Sequence, residues 1–438
     1  MHEVAAFAIE SAQNAGAQQV AASAYRTRDV EVQWRDGRLE KVTEATSRGV
    51  SLELYVDGRY ASVSTSDLRP DALRDFVAES VAMARALAED RFRVLPDPAL
   101  YVGQAAVDLH LEDPDYTSLS AALRLQWAAA IEAAAHTAPG HEKILSVTAG
   151  VSDNRSESWR IHSNGFSGYK CGTSYWLAAE VSALDPDGRR PEESDYASCR
   201  FYSELPDPAA IGLAAAQRTL RRVGAHKPRS QAQAMIVDHR SSGQLLSYLL
   251  GPLSGAALQQ KRSFLDGLRG KSLGSALLDV RDEPLLASGF GSRLFDAEGI
   301  AAKPMQLFNK GVLENYYIDT YYGRKLAEPA TTGRMSNLAW TLGKHTQAQL
   351  LKQVGDGILV TGFLGGNANA TTGDYSLGVQ GFAVRNGEIA EPVAEVNIAG
   401  NQRDLWQQLV AVGNDPYAYS PMQTPTLVFE QVQFAGSE

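Results

Sequence analysis

Cysteine is nearly absent from this chain: Cys171 and Cys199 are the only two in 438 residues. So few exclude a disulfide scaffold, which needs several crosslinks per small domain. Long apolar runs are missing too, and nothing approaches the roughly 20 residues that span a bilayer. The N-terminal Met1-His2-Glu3-Val4-Ala5-Ala6-Phe7 has neither the basic start nor the apolar stretch of a secretory signal. Cationic excess is also lacking. Lys and Arg number 41 against 51 Asp and Glu, a net charge of −10. Phosphate affinity comes from clustered cations, so the balance gives no general reason to hold DNA or RNA. The expectation is a cytoplasmic protein that binds neither membrane nor nucleic acid.

Several catalytic patterns are absent as well. No two of the eight histidines stand at i, i+4 with an intervening Glu, so the zinc-protease pattern on one helix face is not there. His136 and His141-Glu142 are separated by Pro139-Gly140, which takes them off a helix into a turn. A nucleophile elbow needs Gly-x-Ser-x-Gly. Gly165-Phe166-Ser167-Gly168 and Gly251-Pro252-Leu253-Ser254-Gly255 both miss that spacing. Gly289-Phe290-Gly291 and Gly362-Phe363-Leu364-Gly365-Gly366 lack the rest of a phosphate loop. Neither cysteine has an adjacent His, and both read as structural. Asp296-Ala297-Glu298-Gly299 has the acids of a cation site, but such a string more often makes a hydrogen-bonded turn.

What is present is the composition of a globular protein, 44% hydrophobic and 21% charged, and too long for one ordinary core. Residues 1–16 carry apolar positions at helical spacing, and alternation then marks strands at 20–25, 30–34, 50–56 and 60–63. Asp36-Gly37 and Asp57-Gly58 are tight turns. Ser66 or Asp67 is placed to cap a helix with Pro70 in its first turn, running to about Ala88. A proline-punctuated linker follows. Next come a helix from Ser118 to about His136, strands at 144–151, 156–162 and 167–181, and a helix at about 206–223. The rest opens with a buried strand at 234–237 and a helix from about Ser241. It continues as glycine-punctuated strands, among them 357–363, 378–384 and 388–398, the sign of a curved, barrel-like sheet. The fold class is therefore α+β. We expect an N-terminal α+β domain at 1–90, a linker at 91–115, a middle α+β domain at 116–226 and a β-rich C-terminal domain at 227–438.

Strings spread over the chain carry a family resemblance. Arg48-Gly49-Val50-Ser51-Leu52 and Ser64-Thr65-Ser66-Asp67-Leu68 lie in the first part. Arg281-Asp282-Glu283-Pro284, Phe295-Asp296-Ala297-Glu298-Gly299, Asn309-Lys310-Gly311 and Ser376-Leu377-Gly378-Val379-Gln380-Gly381 follow. Ile398-Ala399-Gly400-Asn401 and Thr424-Pro425-Thr426-Leu427 complete the order. In that order the strings resemble the TldD/PmbA family, also called modulators of DNA gyrase, over essentially the full length. The resemblance implies two branches working as a pair: one carries His-Glu-x-x-x-His and a late cysteine for zinc, while the PmbA/TldE branch lacks them.

Here the corresponding positions are Ser247, Tyr248 and Pro252, and no cysteine follows Cys199; Val412-Gly413-Asn414-Asp415 lies where it would fall. Ser is a poor zinc ligand, Tyr248 is no carboxylate base and Pro252 has no ligand atom. Residues five apart on a helix are about 140° apart around its axis, so such a site needs a helix that ends near its second histidine. Gly251-Pro252 supplies a hard stop. Leu245, Leu246, Leu249, Leu250 and Leu253 are expected to fill the region with core packing. The resemblance thus implies a chain without catalytic, metal-binding or cofactor-binding residues of its own. Zinc would sit in a TldD-like partner, with peptides or unfolded proteins as substrates and a homodimer when that partner is absent. The alternative is a self-associating peptide- or protein-binding module, including a gyrase-modulator role.

Overall fold

Four turns are built as their residues demand. Asp36-Gly37, Asp57-Gly58 and Asn386-Gly387 all adopt positive φ at both positions, and Gly165 does so in the Ser163-Asn164-Gly165 turn. These are the backbone angles of tight hairpins, and Asp, Asn and Gly reach them at least cost. The computed structural model describes residues 1–437.

The first half begins with helix α1 (His2–Asn14), strands β1 (Gln19–Arg35), β2 (Arg38–Val56) and β3 (Arg59–Thr65), and helix α2 (Pro70–Ala84). It continues with α3 (Ala121–Ala135), β4 (Ile144–His162), β5 (Ser167–Ala183), β6 (Glu192–Cys199) and α4 (Pro208–Leu220). All six strands form one sheet in the order β3-β2-β1-β4-β5-β6. The two α+β units that the sequence suggests are therefore joined edge to edge. β1 pairs with β4 from Ala21–His162 to Arg35–Thr148. Each is one long strand where alternation alone suggested two. Helix α2 also differs from expectation: Pro70 is its first residue, Arg69 holds the cap position without a side-chain bond, and it ends at Ala84. Asp67 instead accepts from the Arg69 N–H one turn early.

Period-two alternation decides which face is covered. On β1, Val20, Ala22 and Ala24 pack beneath α1 and α2, and Val32 packs beneath α3 and α4. Arg124 of α3 and Asp153 of β4 form a bidentate pair there, with side chains only 4% and 1% exposed. The odd-numbered residues Tyr25, Thr27, Asp29 and Glu31 point to the opposite face, away from α1, α2, α3 and α4.

The second half holds β7 (Gln231–Val237), α5 (His239–Leu250), α6 (Gly255–Gln259), β8 (Val280–Asp282), β9 (Met305–Asn309) and β10 (Val312–Leu313). After them come α7 (Thr320–Leu326), β11 (Leu338–Trp340), α8 (Gln347–Val354), β12 (Gly357–Ala368) and β13 (Asp374–Arg385). The last elements are β14 (Glu388–Asn401), α9 (Gln402–Gln407), β15 (Leu409–Val412), β16 (Met422–Gln423) and β17 (Leu427–Ala435). The run β14-β13-β12-β7-β17 closes on itself through β14–β17 pairs at Asn397–Ala435 and Ile398–Phe434, making a five-stranded barrel. Close approach explains its glycines: a Cβ on Gly381 would lie 1.9 Å from the Leu359 carbonyl oxygen, and one on Gly378 2.6 Å from that of Leu364. The fold is mixed α+β with a barrel in its C-terminal part, as the glycine-punctuated strands foretold.

Candidate functional site

Helix α5 leaves the barrel strand β7 through Asp238, whose carboxylate accepts from the Arg240 N–H and caps the first turn. Its apolar stripe runs inward. Leu245, Leu246, Leu249 and Leu253 are buried in the largest core, while Tyr248 and Leu250 pack against that core from its rim. The regular helix stops at Leu250, and the Leu253 N–H closes one more turn onto the Leu249 carbonyl at 3.1 Å.

The three positions of interest are engaged locally. Ser247 Oγ donates to the Gln244 carbonyl at 2.7 Å, and Gln244 Nε2 donates to the Tyr248 hydroxyl at 3.0 Å. Pro252 is buried, and its carbonyl accepts from Ser263 Oγ at 2.7 Å. A hydroxyl bonded to its own helix, a phenol and a proline ring make no donor set for zinc. Among the described residues no three His, Cys, Asp or Glu gather as a metal site anywhere. The stretch Val412–Asp415 lies toward the other end of the helix. Asp415 Oδ2 meets His239 Nδ1 at 3.1 Å and accepts from Thr426 Oγ1 at 2.7 Å. His239 precedes Ser247 by eight residues, roughly 12 Å along the axis.

That first turn carries a polar and aromatic cluster that motif reading missed. Tyr417 stacks on His239 with ring centres 5.7 Å apart, and meets Tyr196 of β6 and Tyr419 edge-on. Arg240 lies 5.5 Å from the ring centres of both Tyr196 and Tyr417 and is ion-paired with Asp195. Tyr196 stacks in turn on Trp176 of β5 at 4.3 Å. The cluster ties the start of α5 to the sheet. Its only sequence signal is His239-Arg240 directly after a buried strand, which no spacing rule singles out.

The acidic string behaves as a turn. Asp296 accepts from the N–H groups of Glu298 and Ile300 and from Thr332 Oγ1. Glu298 accepts from Thr320 N and Oγ1 at the start of α7, at 2.8 and 2.6 Å. Burial nevertheless pushes the Glu298 carboxyl up to about 7, against those two bonds. At the end of β4, burial drives His162 down to about 3, with Arg160 adding to the effect. Arg160 can only donate, so His162 Nε2 accepts from it at 2.9 Å and Nδ1 carries the hydrogen toward the Tyr101 hydroxyl. Lys170 is lowered to about 8, again mainly by burial. Both cysteines are half-buried, and desolvation raises Cys171 to about 11 and Cys199 to about 12, so neither is a ready thiolate. His141 bonds the Ala138 carbonyl through Nδ1 in its loop.

Comparisons with known proteins agree along the chain. Residues 20–84, 113–223 and 230–436 match the models for PmbA/TldA metallopeptidase domain 1, the central domain and the C-terminal domain. Metalloprotease PmbA of Escherichia coli O157:H7 is 31% identical over 418 residues, covering 94% of this chain and 91% of that protein. A PmbA homologue of Haemophilus influenzae is 27% identical, covering 100% and 96%. A crystal structure of a protein described as a putative modulator of DNA gyrase from Bacteroides thetaiotaomicron superposes with a TM-score of 0.96. It is 38% identical and covers 99% of this chain and 98% of its own. TldE of Thermococcus kodakarensis shares the fold at 19% identity, with a TM-score of 0.85 over 98% and 99%.

Proposed function

The chain belongs to the PmbA/TldD metallopeptidase family, and from that premise we propose that it is the zinc-free subunit of a two-chain metalloprotease. Its partner is a TldD-like chain carrying His-Glu-x-x-x-His, and zinc belongs to that partner alone. The observation behind this reading is α5: Ser247, Tyr248 and Pro252 are bonded or packed into the helix and core, with no ligand set left. This subunit completes a shared chamber and helps admit peptides or unfolded proteins, and the hydrolysis is the partner's. Purification with and without a TldD-like chain tests it. Zinc and cleavage of an unstructured peptide are expected only with the partner; stoichiometric zinc and turnover by this chain alone would overturn it.

A second reading takes its cue from the Bacteroides relative, described as a putative gyrase modulator. There the chain self-associates and binds another protein, without a protease partner. The net charge of −10 disfavours a direct grip on DNA. Titration against gyrase with and without DNA separates the two readings, as does mixing with a TldD-like chain.

A further inference from the structure

A cavity of about 920 Å³ opens where the face of the sheet away from α1, α2, α3 and α4 meets the loop before Asp296. Strand register builds its floor. Tyr25 of β1 stands opposite Ser158 of β4, and Ser158 stands opposite Lys170 of β5. Paired residues share a face, so the Ser158 alcohol lies beside the Lys170 ammonium, while the Tyr25 phenol leans away over Gly49 of β2. Leu109, Leu111, Leu294 and Phe295 form apolar walls. Phe295 presses directly on β5, where a Cβ on Gly168 would meet its ring at 2.5 Å.

Lys170 is the unusual member. Its Nζ lies 4.3 Å from the centre of the Phe295 ring, and among the described residues no hydrogen bond supports its charge. Three acids also line the cavity, Asp108, Glu112 and Glu157. Glu112 pairs with Arg155 at 2.7 Å, Asp108 faces His110, and Asp296 is held by two N–H groups and Thr332. Glu157 borders the cavity too, although by parity its side chain leaves from the other face of β4. Asp296 supports the Lys170 charge without touching it, and a half-buried ammonium that no acid contacts is costly, so the cavity favours an anion. Arg200 and Arg293, the other cations on its wall, direct their terminal nitrogens mainly to backbone carbonyls. With no free guanidinium fork, a singly charged carboxylate suits the site better than a phosphate dianion.

We propose that this cavity binds a carboxylate carried on an apolar body. The Lys170 ammonium is its counter-ion, the Ser158 hydroxyl donates to it, and Leu294 and Phe295 seat the apolar part. Two sources offer this chemistry: a peptide C-terminus with an apolar last residue, and a free aliphatic acid. The peptide source rests on the reading of function given above, whereas the free acid does not, so the two can fail separately.

Calorimetric titration of the full chain with decanoate, and with a leucine-ending hexapeptide as free acid and as amide, tests the site. At least one acid is expected to bind, the peptide amide at least tenfold more weakly than the peptide acid if peptides are the source. Lys170→Met should weaken acid binding at least tenfold while leaving the unfolding temperature nearly unchanged. Binding by decanoate alone assigns the site to free acids, and binding by the peptide acid alone assigns it to chain ends. Acetylation by an activated ester, followed by mass spectrometry, gives a readout that needs no variant. A saturating acid should slow labelling of Lys170 at least fivefold relative to Lys261, whose side chain is 77% exposed. Absence of binding by both acids, equal acid affinity in Lys170→Met, or unprotected Lys170 would each overturn the proposal.

Discussion

Around β7 and α5 the chain closes on itself, while around β1 and β4 it stays half open. The barrel has no free edge: its strands meet in a ring, its glycines admit backbone to backbone, and the leucines of α5 are buried against it. The sheet is covered by α1, α2, α3 and α4 on one side and leaves Tyr25, Thr27, Asp29 and Glu31 on the other. Several groups with displaced protonation, Glu298, His162 and Lys170, lie where the two halves meet. Closed packing leaves little room for chemistry. Perturbed groups in clefts are where function is best sought, and three of them lie at this seam.

The largest effect tests whether the sheet half is the looser one. Asp153→Ala strands the buried Arg124 guanidinium and should cost roughly 3–5 kcal/mol in urea unfolding. Arg124→Met with Asp153→Leu should recover most of that loss; a small penalty for the single change would show that water reaches the pair. In the barrel half, Leu249→Ala should cost about 3 kcal/mol by the same measurement, as a fully buried leucine does. A loss below about 1 kcal/mol would mean that α5 collapses to fill the gap.

At the seam, Glu298→Gln sharpens the contrast through pH. Burial raises this carboxyl in the folded state, so folding favours its protonated form. That stabilisation is fully present below the ordinary range near 4.5 and is lost as pH rises through about 7. The amide should therefore stabilise the protein by on the order of 2 kcal/mol at pH 8 and do little at pH 4.5. Thermal unfolding at the two values checks it, and a pH-independent difference would place the effect elsewhere. The smallest expected effect is none. Ser247→His, Tyr248→Glu and Pro252→His together should leave zinc at background, because no third ligand follows; full occupancy by elemental analysis would overturn that.

Much of the fold was legible where local chemistry decides it. Asp36-Gly37, Asp57-Gly58 and Asn386-Gly387 announce their hairpins, and the leucines of α5 announce their burial. What could not be read was long-range pairing. Nothing in residues 20–34 says that they lie beside 148–162, because alternation fixes a face and not a neighbour. The acidic turn at Asp296 was legible from composition. The His239–Tyr417 cluster was not, since its members come together only through the barrel.

The barrel's closure also sets an order of events during synthesis. β7 needs β12 on one side and β17 on the other, and β17 is the last strand among the described residues. The sheet half can pair its strands while the rest is still being made. β7 and α5 must wait, with their apolar residues uncovered, until nearly the whole C-terminal half has left the ribosome. Late, non-local pairing of this kind is slow and prone to aggregation. A truncation that removes β17 should therefore yield a soluble-looking N-terminal half attached to a barrel segment that chaperones retain.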